Sequence, residues 1–129
     1  MKHNDIKIML VDDSSTMIRI LLNVLEQAGF ENVVTANNGS AALDILKSQS
    51  DIHLVLCDWN MPLMTGLSLL KEIRSDEKLK NFPFIMVTSR NSKADIFAAI
   101  ESGANDFIVK PFNTRTITQK IDDVLGVMD

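Results

Sequence analysis

Apolar positions along the chain fall into two alternating patterns. Short aliphatic runs, "IKIMLV" (6–11), "VVTA" (33–36), "HLVLC" (53–57), "PFIMVT" (83–88) and "DFIVK" (106–110), predict five strands. Several are continuously apolar, as a strand is when helices cover both of its faces, so a parallel sheet is expected. Between them apolar residues recur at helical spacing. The first helix is predicted over 15–28, with Met17, Leu21, Val24, Leu25 and Ala28 on one face and Gly29 as its stop. The second spans 40–47 after the turn "NNG", and the third spans 66–74 behind Thr65 as N-cap. The fourth runs from Ser92 to Gly103, with Asp95 at capping-box spacing. The fifth runs from Asn113 to Leu125, with Ile117, Ile121, Val124 and Leu125 on one face. Five βα units of this length need right-handed crossovers, so the expected fold class is α/β, an open doubly wound sheet.

Composition narrows the function classes. A chain of 129 residues fits one domain, 1–129, and 46% apolar with 23% charged residues is the balance of a globular protein. The net charge is -4 with no run of Lys or Arg, which argues against nucleic acid as a partner. No apolar stretch approaches the ~18 residues of a membrane span, and no cleavage-type site follows "MKHNDIK", so a cytoplasmic protein is expected. Met1 and a completed fifth helix favour a stand-alone protein over a piece of a larger regulator, and a monomer is expected. Cys57 reads as a small buried hydrophobe and the seven Met as core filler. His3 and His53 have no metal-type spacing and receive no role.

In an open α/β sheet the ligand site lies beyond the carboxyl ends of the strands. Here the first strand ends in Asp12-Asp13, the third in Asp58, the fourth in Thr88-Ser89 and the fifth in Lys110-Pro111. Singly each has a bland reading, as a cap, a loop residue or a solvated cation. Together, three converging carboxylates raise one another's pKa values unless a cation lies between them. Hard oxygen donors without nearby His or Cys suit Mg²⁺, or Mn²⁺, keeping several waters that phosphate oxygen can replace. Beside a metal and Lys110, Asp58 can act as a nucleophile towards phosphorus, with the Thr88 hydroxyl donating a hydrogen bond. Asp58 is thus a candidate phosphate acceptor.

The segments "VDDSSTM", "DWNMPLMTG" with "LLKEIR", "VTS" and "DFIVKPF" resemble, in residues and spacing, the receiver domains of two-component response regulators, especially the single-domain chemotaxis members. The resemblance covers essentially the whole chain. It implies a strand order 2-1-3-4-5. It casts Asp58 as phosphoacceptor, Asp12 and Asp13 as carboxylates holding Mg²⁺ directly or through water, and Asn60 as a ligand through its backbone carbonyl. Thr88 looks like the hydroxyl that swings towards the phosphoryl group, and Lys110 like its paired lysine, with a cis Lys110-Pro111 bond. The implied donor is a sensor histidine kinase of the chemotaxis (CheA) type. The implied output is a partner bound by helix four, strand five and helix five, such as a flagellar motor switch protein. A regulator of this kind is not an enzyme, though it assists its own phosphorylation and dephosphorylation.

Departures from the family pattern bear on output. Phe107 stands where the chemotaxis members carry Tyr, so the ring survives without its hydroxyl. Arg90, two residues beyond Thr88, is either a plain surface residue or a cation at the mouth of the site. Ile96, within the apolar "IFAAI", is expected to stay exposed beside Phe107 and, with Lys120 by resemblance, to form a docking surface. Rival readings are a haloacid dehalogenase-type phosphohydrolase, a flavodoxin-type module, and a pseudo-receiver. The first needs an acid where Asn60 stands, and the second an acid-poor first loop where Asp12 and Asp13 stand. The complete acid, Thr and Lys set argues against the third. A phosphate sink or a receiver of another two-component pathway remains open.

Overall fold

The computed structural model describes residues 2–126, so residues 1 and 127–129 of the expected domain lie outside the described residues. Five strands, β1 (Lys7–Val11), β2 (Asn32–Ala36), β3 (Leu54–Cys57), β4 (Phe84–Thr88) and β5 (Asp106–Val109), form one parallel sheet in the order β2-β1-β3-β4-β5. Order and fold class are as the sequence and its resemblance predicted. Four of the predicted strands run a residue longer at one end, as at Ile6 and Lys110, and the second starts a residue late, at Val33 instead of Asn32, a common ambiguity where chains enter and leave a ladder.

Residues alternate across this sheet between two cores. Ile8, Leu10, Leu56, Val87 and Ile108 pack under α1 (Ser15–Gln27) and α5 (Thr114–Leu125), with Leu21, Leu25, Ile117 and Ile121. Met9, Val11, Cys57, Met86 and Phe107 pack under α2 (Gly39–Ser48), α3 (Gly66–Ser75) and α4 (Lys93–Glu101). Two covered faces explain why β3 and β4 are apolar at every position but the last, Thr88: all nine of their residues are buried.

Helix starts follow from side-chain caps. Ser14, Asn38, Thr65, Ser92 and Asn113 each accept a backbone N–H three residues on. The turn "NNG" is therefore itself the cap and first residue of α2, which begins at Gly39 and not at Ser40. Ser92 caps α4, but the expected capping box is half made: the Asp95 carboxylate faces Arg90, at 3.6 Å from Nη1. Gly29, with φ +91°, ends α1 in the left-handed region as the sequence indicated.

Polar side chains tie the layers at the amino end of the sheet. Arg74 donates to the carbonyls of Phe82 and Gly103 and to Asn105 Oδ1, and burial pushes its guanidinium pKa down. His3, given no role from sequence, lies with Nδ1 2.7 Å from the Ala28 carbonyl and Nε2 2.8 Å from Asp122 Oδ1, stacked on Phe30. His53 Nδ1 accepts the Lys7 N–H at 2.9 Å beside the first ladder bond between β1 and β3.

Candidate functional site

At the carboxyl end of the sheet the parallel ladder runs one residue past the strands. Asp58 N–H donates to the Val11 carbonyl at 2.9 Å, Asp12 N–H to Ala36 at 3.1 Å, and Lys110 N–H to Thr88 at 2.9 Å. Backbone pairing thus sets Asp12, Asp58, Thr88 and Lys110 side by side before any side-chain contact is considered. Carboxylate oxygens of Asp12, Asp13 and Asp58 all lie within 4.8 Å of one another. Lys110 Nζ stands 3.6 Å from Asp58 Oδ1 and 3.9 Å from Asp12 Oδ2. The Lys110-Pro111 peptide is cis.

The three acids differ in environment. Asp13 is exposed, Asp58 half-buried and Asp12 only 2% exposed. Asp12 Oδ1 accepts the Ser14 N–H at 2.9 Å, whereas Oδ2 is buried without a hydrogen-bond partner. Burial pushes the Asp12 carboxyl pKa up. The Ser14 N–H opposes this, Asp58 adds to it, Lys110 opposes and Asp13 adds. A buried oxygen without a hydrogen-bond partner, facing two further carboxylates, is a donor set whose all-oxygen chemistry fits a small divalent ion. Cys57, directly before Asp58, is fully buried and its thiol pKa is pushed well up, chiefly by burial and further by Asp58 and Asp12, so it contributes no nucleophile.

Asp58 is held from its own loop as well. Its Oδ1 accepts the Trp59 N–H at 2.8 Å, and the Trp59 carbonyl accepts the N–H of Gly66, the first residue of α3, at 2.9 Å. A Cβ at position 66 would come 2.2 Å from the Asp58 carbonyl oxygen, so only glycine lets α3 begin against this loop. The sequence reading gave Gly66 no such role. The available signal was a glycine at the first position of a well-capped helix, where its poor helix propensity needs a reason.

The Thr88 side chain is fully buried, and its Oγ1 accepts the Arg90 N–H at 3.2 Å. Arg90 is no free surface residue. Its Nε donates to Asn60 Oδ1 at 3.0 Å and its Cζ lies 4.9 Å from the centroid of the buried Trp59 ring. The Asn60 side chain therefore faces Arg90, leaving its backbone carbonyl as the group to consider for a cation.

The expected docking residues are rearranged. Ile96 is half-buried and packs against the core, because it lies on the sheet side of α4. The exposed apolar side chains of α4 are its neighbours Phe97, 67% exposed, and Ile100. Phe107 is turned inward and 7% exposed. Lys120 is paired with Asp106 Oδ1 at 3.0 Å and so is partly committed within the fold.

A family model describing the response regulator receiver domain matches residues 8–122. The chain belongs to that family. This receiver is 43% identical to a chemotaxis protein CheY homolog of Campylobacter jejuni over 120 residues, covering 93% of the chain and 92% of the relative. It is also 43% identical to chemotaxis protein CheY1 of Helicobacter pylori over 123 residues, covering 95% and 99%. Among solved structures it resembles chemotaxis protein CheY4 of Vibrio cholerae, with a TM-score of 0.84, 32% identity and coverage of 93% and 98%. Among the described residues, no helix of the receiver is long and apolar enough to cross a membrane.

Proposed function

We propose that this receiver is a phosphorylation-activated switch of a chemotaxis pathway, with Asp58 as its phosphoacceptor. The observation that carries the reading is the convergence of Asp12, Asp13 and Asp58 with Lys110 around a buried carboxylate oxygen that has no hydrogen-bond partner. An Asp58 carboxylate oxygen forms a bond to phosphorus as the bond from phosphorus to the nitrogen of a donor phosphohistidine breaks, the electron pair staying on the imidazole. Lys110 holds its charge beside Asp58 Oδ1 and offsets the negative charge of the arriving group. Thr88 Oγ1 already accepts the Arg90 N–H, which leaves its own O–H to donate to a phosphoryl oxygen. Magnesium held by Asp12, Asp13, Asp58 and the Asn60 backbone carbonyl would supply the remaining positive charge.

The reading of a regulator and not an enzyme rests on Asn60. Two residues past the nucleophile, it offers no carboxylic acid to shuttle a proton, and its amide is bound by Arg90. Output through α4, β5 and α5 is supported by the exposed Phe97 and Ile100. The kinase and output partners are proposed as those of chemotaxis, a CheA-type kinase and a motor switch protein, because the relatives bear chemotaxis names. Incubation with Mg²⁺ and acetyl phosphate should add one acid-labile phosphoryl group per chain. Asp58→Asn should add none, and labelling that persists in that variant would refute the assignment.

A further inference from the structure

Arg90 joins the loop that follows β3 to the first turn of α4. On one side its guanidinium bonds Asn60 and lies over Trp59, the two residues that directly follow Asp58. On the other its Nη1 stands 3.6 Å from Asp95 in the first turn of α4. Its own N–H is on the Thr88 hydroxyl. α4 is a helix that such a tie can govern: its only fully buried residue is Ala99, whereas α3 buries four. An element with so little buried apolar surface opens locally at low cost.

The ties are also easily exchanged. Both members of the Arg90–Asp95 pair retain solvent exposure, and such pairs or stacked cations shift an equilibrium by a factor of about five or less. A phosphoryl group offers a stronger partner, with multiple acceptor oxygens, about two negative charges and a match to the planar guanidinium fork.

We infer that Arg90 is a phosphoryl-responsive clasp. With Asp58 unmodified it ties the first turn of α4 to the Trp59–Asn60 loop; with a phosphoryl group on Asp58 it transfers to the phosphoryl oxygens, releasing Asp95 and leaving the indole ring. The inference rests on Asp58 as phosphoacceptor and assigns Arg90 a positioning role towards α4.

The test uses beryllium trifluoride with Mg²⁺ as a non-hydrolysing stand-in for the phosphoryl group, with uptake followed by ¹⁹F NMR. Wild type, Arg90→Gln, Arg90→Lys and Asp95→Asn are compared by amide hydrogen exchange over 91–101 and by Trp59 emission. In wild type, loading should speed exchange over this segment by about three- to fivefold and shift the emission. Arg90→Gln and Asp95→Asn should exchange fast before loading and change less than about twofold on loading, while Arg90→Lys should recover part of the tie. Arg90→Gln that takes up the fluoride and still shows the full wild-type rise would overturn the clasp alone. Wild type that takes up none would overturn the phosphoacceptor reading and the clasp together.

Discussion

Asp12 is the residue whose surroundings conflict most with its chemistry. Burial raises its carboxyl pKa in the folded chain, so protonation favours the fold. The contribution is therefore fully present below the ordinary carboxylate range and is lost as pH rises through the raised folded value. Wherever this carboxyl is ionised without a divalent cation beside it, the fold carries a charged oxygen with no hydrogen-bond partner. Leaving such an acceptor unsatisfied costs about 1–3 kcal/mol, so Asp12→Asn should raise the thermal midpoint in EDTA, by about 3–6 °C for each kcal/mol relieved. Millimolar Mg²⁺ should raise the wild-type midpoint and leave the variant nearly unmoved. A variant that melts at or below wild type in EDTA would contradict this account. The acid set was legible in the sequence because strand ends converge by topology. That Asp12 alone of the three is sealed from water was not, because burial depends on tertiary packing that no local pattern encodes.

Elements were read well where a local rule decided them. Strands fully covered on both faces announced themselves as unbroken apolar runs, and capping residues marked helix starts to within a residue or two. What periodicity could not resolve was the azimuth of α4. "IFAAI" is apolar nearly all round, so the sequence could not say that Ile96 turns to the sheet while Phe97 and Ile100 turn to water. Tertiary close approach was equally hidden at the start of α3. Gly66→Ala would drive a Cβ into the backbone of Asp58 and Trp59, with no flexible side chain to give way. We expect a loss of more than about 2 kcal/mol in urea denaturation, against a gain if helix propensity alone governed the site.

For the whole molecule, one sheet shared by both cores predicts one cooperative unit. Trp59, the only Trp in a chain without Tyr, reports on the core under α2, α3 and α4, while far-UV circular dichroism reports on every helix. The two signals should fall at the same urea concentration; separate midpoints would divide the chain into independently folding parts. The resemblance in motifs foretold the sheet order, but nothing in the sequence foretold the contact that His3 makes across 119 positions to Asp122. That contact brings the 3₁₀ turn at His3–Asp5 against α5 and the end of α1. In polymer terms it turns an open chain into a non-covalent circle. Its first and last elements share one lock, so fraying at either place frees the other, and α5 is restrained from the opposite end of the chain.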